Sequence, residues 1–158
     1  NTYQSERYSN VKEYIKTTAK MGEFVNAIGT SNITGKVSST TDGQKSMKSI
    51  KPKLGKGLGK VQDKNRGKIF PQFKIKNGKS LDDKFSLKPI LILSKEIKKN
   101  ISSKLNFIHT KKNKNLETFF ENSKSIAIIV RPDRFILSSC KSMKDFKSYL
   151  TKNLSILA

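Results

Sequence analysis

The chain has 158 residues, with 33 Lys and Arg against 12 Asp and Glu, a formal net charge of +21 and 34% hydrophobic residues. That length suits one core-bearing domain with an appendage. A single cysteine, Cys140, excludes an internal disulfide framework and any CxxC redox or zinc site, and no apolar run is long enough to cross a bilayer.

In chain order, apolar residues at Tyr3, Val11, Tyr14, Ile15, Ala19, Met21, Phe24, Val25 and Ile28 recur at spacings of three and four. This predicts an amphipathic helix over Thr2 to Ile28, ending near Gly29. From Gly29 to Arg66 the composition shifts to Gly, Ser, Thr and Lys with few large apolar side chains, which predicts a flexible linker over 29–66. Its glycines, Gly55-Lys56-Gly57-Leu58-Gly59-Lys60, follow no apolar strand and lack the GxxxxGK[ST] spacing of a phosphate loop. Gly78-Lys79-Ser80 has the right ending, but Phe73 stands where the earlier glycine is required.

The region 67–158 reads as one domain. An apolar run at Leu87 to Leu93 precedes a helical stretch from Ser94 to Lys104, a short apolar run at Leu105 to His109 and a second helical stretch at Asn115 to Asn122. Ile126 to Val130 is a β-branched run that reads as a buried strand; Pro132 and Asp133 then turn the chain into a second strand at Phe135 to Leu137. A last helix at Ser142 to Leu154 places Met143, Phe146, Leu150 and Leu154 on one face, with Ser142 and Asp145 suited to its first turn. The expected class is α/β, with the order βαβαββα of a thioredoxin-like domain preceded by a long helix and a linker.

Candidate chemistry is sparse. No second sulfur stands after the first strand, where Ser94-Lys95-Glu96-Ile97 occurs, so thiol–disulfide exchange is not expected. His109 is the one histidine and has no ligand-like neighbours in sequence, and the adjacent Asp82 and Asp83 suit a turn better than acid–base work. The positive charge is carried almost wholly by lysine, with only Arg7, Arg66, Arg131 and Arg134 as arginines. Scattered lysines on a solvated surface are therefore the plain reading, and an RNA-, DNA- or anionic-lipid-binding protein using the lysines from Lys45 to Lys79 is the alternative. The sharpest phrase is Arg131-Pro132-Asp133-Arg134-Phe135. Proline fixes a turn, aspartate bonds its own backbone, and arginine pairs across the hairpin or against a neighbouring unit, so these residues are expected as a structural turn or interface.

Three phrases together carry a resemblance. They are Asn1-Thr2-Tyr3-Gln4-Ser5-Glu6-Arg7; Gly67-Lys68-Ile69-Phe70-Pro71-Gln72-Phe73-Lys74-Ile75 with Asn77-Gly78-Lys79-Ser80-Leu81-Asp82-Asp83; and Ile126-Ala127-Ile128-Ile129-Val130-Arg131-Pro132-Asp133-Arg134-Phe135-Ile136. In that order the chain resembles the carboxy-terminal third of the FAD-dependent aromatic hydroxylases. The resemblance implies that 1–28 is the terminal helix of an FAD-binding domain, 29–66 a linker and 67–158 a thioredoxin-like carboxy-terminal domain. It implies a cytoplasmic flavoprotein monooxygenase that uses FAD and NAD(P)H, whose FAD-binding and substrate domains are the partners of this piece, with a homo-oligomer possible and no membrane partner. Asn1 stands where the family has aspartate, and Tyr8, Ser9 and Asn10 replace its arginine, proline and histidine. No G-x-G-x-x-G follows any strand here, so the piece is expected to hold no flavin and no catalytic residue, and to be a fragment, a processed product or the product of a decayed gene.

Overall fold

The computed structural model describes residues 2–33, 50–57, 62–74, 80–84, 88–95, 97, 107–110 and 113–157. Four strands, β1 (Ile90–Leu93), β2 (Phe107–His109), β3 (Ala127–Val130) and β4 (Ile136–Cys140), form one mixed sheet in the order β2-β1-β3-β4. β1 runs parallel to β2 and antiparallel to β3, and β3 runs antiparallel to β4. With helices α1 (Thr2–Ile33), α2 (Lys114–Ser123) and α3 (Met143–Leu157), this is an α/β arrangement. Among the described residues no helix is long and apolar enough to cross a membrane.

β1 and β3 read as unbroken apolar runs because both faces of the sheet are covered. Leu91, Leu93, Ala127, Ile129, Leu137 and Cys140 pack with Phe146 of α3 on one face. Ile90, Ile92, Ile128, Val130 and Ile136 pack with Leu116 and Phe120 of α2, and with Phe70 and Leu81, on the other. Phe70, Phe73 and Phe119 meet edge to face at 5.1–5.9 Å between ring centres.

The strand expected from Leu87 begins at Ile90, directly after Pro89, which has no N–H to give to a ladder. The strand after the hairpin runs beyond Leu137 to Cys140. A bulge beside Ile129 and Val130 shifts its register, so Ile129 faces Ser138 and Val130 faces Ile136, leaving Leu137 as the extra residue. That shift hides the period-two pattern in the sequence. α2 is capped by Asn113, whose Oδ1 accepts from Leu116 N at 3.1 Å, and ends at Lys124 in the left-handed region with φ 51°. Ser142 caps α3, accepting from Asp145 N at 3.2 Å. Of the helical stretch expected over Ser94 to Lys104, only Ser94, Lys95 and Ile97 are described.

The structure adds detail to α1 and to the described part of the segment after it, residues 34–49 and 58–61 lying outside the described residues. The helix continues through Gly29 to Ile33, and its apolar stripe is not buried: Tyr3 and Tyr8 are 67% exposed, Ile15 64% and Val25 62%. Among the described side chains of α1, the buried ones are Glu6 and Asn10. Within the stretch read from composition as a linker, residues 50–57 and 62–66 are packed structure, with Pro52 and Leu54 buried. The next residues, 67–70, lie along the outer edge of β4: Gly67 N donates to Ile136 O at 2.8 Å, Ile136 N to Lys68 O at 2.9 Å and Phe70 N to Arg134 O at 2.8 Å. Few large side chains are needed for this, because the segment is held by backbone hydrogen bonds and by Asp63, whose Oδ1 accepts from Ser139 Oγ at 2.7 Å and whose Oδ2 accepts from Ser139 N.

Tyr149 of α3 packs against the first cluster, and burial, with a smaller contribution from Cys140, pushes its hydroxyl from 10.0 up to about 12. The folded state therefore favours the protonated phenol. Its contribution to stability is complete below pH 10.0 and is lost as pH rises through about 12. In an ultraviolet absorbance titration, one of the four tyrosines should ionise near pH 12, and Tyr149→Phe should remove that step and flatten the alkaline fall in stability.

Candidate functional site at the helix and hairpin junction

Arg131, Pro132, Asp133 and Arg134 lie in the turn between β3 and β4. Arg134 N donates to Arg131 O and Arg131 N to Phe135 O, both at 2.9 Å. Arg134 sits in the left-handed region, with φ 66°, and its Nη2 donates to Phe70 O at 3.1 Å. Asp133 Oδ1 accepts from Phe135 N at 3.4 Å, so the carboxylate holds its own turn.

The other half of the site comes from α1. Arg131 Nη1 donates to Glu6 Oε2 at 2.8 Å and Arg131 Nη2 to Asp133 Oδ2 at 2.9 Å. The Glu6 side chain is only 6% exposed and that of Arg131 22%. Arg7 stands 3.7 Å from Asp133 and lies over the Phe135 ring at 5.4 Å from its centre. Burial opposes the charge on Arg131, but the hydrogen bond to Glu6 and the fields of Asp133 and Glu6 outweigh it and raise its pKa above the ordinary value. Two carboxylates thus balance two guanidiniums, and the Arg131 fork is engaged by protein groups on both sides.

The loop over Glu6 completes the junction. Gly55 N donates to Glu6 O at 2.8 Å, Asn10 Nδ2 to Pro52 O at 2.9 Å and Arg66 Nη2 to Gly55 O at 3.1 Å. A Cβ on Gly55 would strike Ser5 O, and one on Gly57 would strike the Glu6 carboxylate. These glycines serve close approach to a helix, and the Gly55 amide is already engaged. Gly67, with φ 73°, lies where a Cβ would stand 2.8 Å from Leu54 O.

The remaining sequence candidates do not converge on this place. His109 is half-buried at the end of β2, edge to face with Phe107 at 5.6 Å. Cys140 is fully buried. Asp83 caps a single 3₁₀ turn (Leu81–Lys84), its Oδ2 accepting from Ser80 N at 2.8 Å. Of the lysines between Lys45 and Lys79, the described Lys51, Lys53, Lys56, Lys64 and Lys74 are exposed and Lys68 is half-buried, whereas Gly78 and Lys79 lie outside the described residues. Among the described residues no group of three or more His, Cys, Asp or Glu could hold a metal. Glu6 and Asn10, which are buried, and Asp63, which is part-buried, were missed as anchors. The available signal was the rarity of arginine in so lysine-rich a chain, since a residue kept against that bias has a geometric task.

Comparison with known proteins found no family model, curated protein or solved structure that matches the chain.

Removing one partner of a pair this buried takes from the other charge its least exposed counter-ion and costs of order 3 kcal/mol. Urea unfolding of Glu6→Gln, Arg131→Gln and the double variant should show each single change costing most of what both cost together, while Arg7→Gln, whose partner is part-exposed, costs about 1 kcal/mol or less.

Proposed function

We propose that the chain is the carboxy-terminal part of an FAD- and NAD(P)H-dependent aromatic-ring monooxygenase resembling 3-(3-hydroxyphenyl)propionate hydroxylase, with a packing and domain-contact role in this piece. The observation that carries the reading is spatial. The phrases on which the resemblance rests are far apart in sequence, yet Glu6 and Arg7, residues 67–70 and the Arg131 to Arg134 turn share one hydrogen-bonded junction. The order β2-β1-β3-β4, with the first two strands parallel and the others antiparallel, supports a thioredoxin-like assignment for the sheet unit.

The uncovered stripe of α1 is consistent with the same reading. Tyr3, Tyr8, Val11 and Ile15 lie along the first four turns, beside the face that Glu6 and Asn10 bury. An apolar face of this kind marks a contact surface, and on this reading the remainder of the FAD-binding domain covers it. The aromatic chemistry then belongs to those other domains, and Arg131 and Arg134 hold the junction instead of touching substrate.

The test is the reading frame upstream of Asn1. It should continue into a strand–G-x-G-x-x-G–helix segment, and a start codon directly before Asn1 would contradict the proposal. The 158-residue chain mixed with FAD should leave flavin fluorescence unquenched, and a stoichiometric yellow complex would contradict the division of labour proposed here.

A further inference from the structure

A cleft of about 200 Å³ opens where β1 and β2 end and β3 begins. In open α/β sheets, ligands favour the crevice outside the carboxyl ends of parallel strands, and β1 and β2 are the parallel pair here. Its apolar lining is Phe120 and Ile126. Its charged lining is two carboxylates, Glu117 and Glu121, and two ammonium groups, Lys95 and Lys124.

Two features set this cleft apart from ordinary surface. Glu117 and Glu121 are one turn apart on α2, where like charges repel, and among the described residues neither forms an ion pair with Lys95 or Lys124. Ser94, at the end of β1, lines the cleft and is 8% exposed, and its Oγ is buried without a hydrogen-bond partner. A buried hydroxyl left unpaired is destabilising, so such a group calls for a partner.

We propose that this cleft binds a small zwitterion of the α-amino-acid class. Glu117 and Glu121 take the ammonium group, Lys95 and Lys124 take the carboxylate, Ser94 supplies a hydroxyl to the bound polar end, and Phe120 and Ile126 receive a short apolar side chain. Opposite charges on one small ligand satisfy both pairs at once, which neither a simple anion nor a simple cation does. The inference is independent of the hydroxylase reading, since it uses no residue of the helix and hairpin junction.

The probe is L-valine, titrated into the ¹⁵N-labelled chain and followed by amide NMR. The expected result is saturable shifts at the Ser94, Thr110 and Ser125 amides with Kd of about 1 mM or tighter. Isobutylamine and isovalerate, which each lack one charge, should bind at least tenfold more weakly. Glu121→Gln and Lys124→Gln alter exposed side chains. Each should weaken valine at least tenfold without moving the melting temperature. Absence of saturable shifts, or equal binding of isovalerate, overturns the proposal.

Discussion

The junction depends on one constraint: the Glu6 carboxylate is buried, and a buried carboxylate must have a cation. Arg131 supplies it across 125 positions of sequence. Several local choices follow. The loop over Glu6 must be glycine at 55 and 57 to approach it, and the hairpin must turn so that Arg131 faces the helix. Asp133 must share the guanidinium, and the left-handed Arg134 aims its side chain at Phe70 O. Such a pair fixes geometry more than it adds stability, because desolvation offsets much of the Coulombic gain. Its consequence is position: the first turns of α1 are held against the end of the β3–β4 hairpin.

Much of the sheet unit was legible in the sequence. β1 and β3 are apolar runs because both their faces are covered, and α3 carries an apolar face with Ser142 as its cap, whereas the Asn113 cap of α2 is seen only in the structure. The ends were less legible where chemistry breaks the period. Ser138 and Ser139 continue β4 although neither is apolar, one sitting opposite Ile129 at the bulge and the other held by Asp63. The α1 contact was not legible for a related reason. Periodicity finds apolar stripes, whereas this helix is fastened by two polar residues whose partners lie far along the chain. Nor could composition separate a linker from residues 50–57 and 62–66, which pack through backbone hydrogen bonds and two glycines.

The candidate site was half legible. The Arg131 to Arg134 turn stood out for its proline and aspartate, but its partner Glu6 did not, since an isolated Glu in a helix gives no sign of burial. The result is a division within one small chain. One face of α1 is bound to the sheet unit by matched charges, and the neighbouring face, with Tyr3, Tyr8 and Ile15, is left apolar and open. On the reading proposed above, that division suits a surface that meets a second body.

The central claim is that the Glu6–Arg131 pair holds α1 against the loop and hairpin. The Gly55 amide reports on it directly, because that N–H donates to Glu6 O and to nothing within its own loop. Amide hydrogen exchange at Gly55 should be measured in the full chain and in Arg131→Gln under native conditions. The account predicts that Gly55 loses protection at least tenfold in the variant while the β3 amides keep theirs. Unchanged protection at Gly55 would contradict it, since α1 would then be held by something other than this pair.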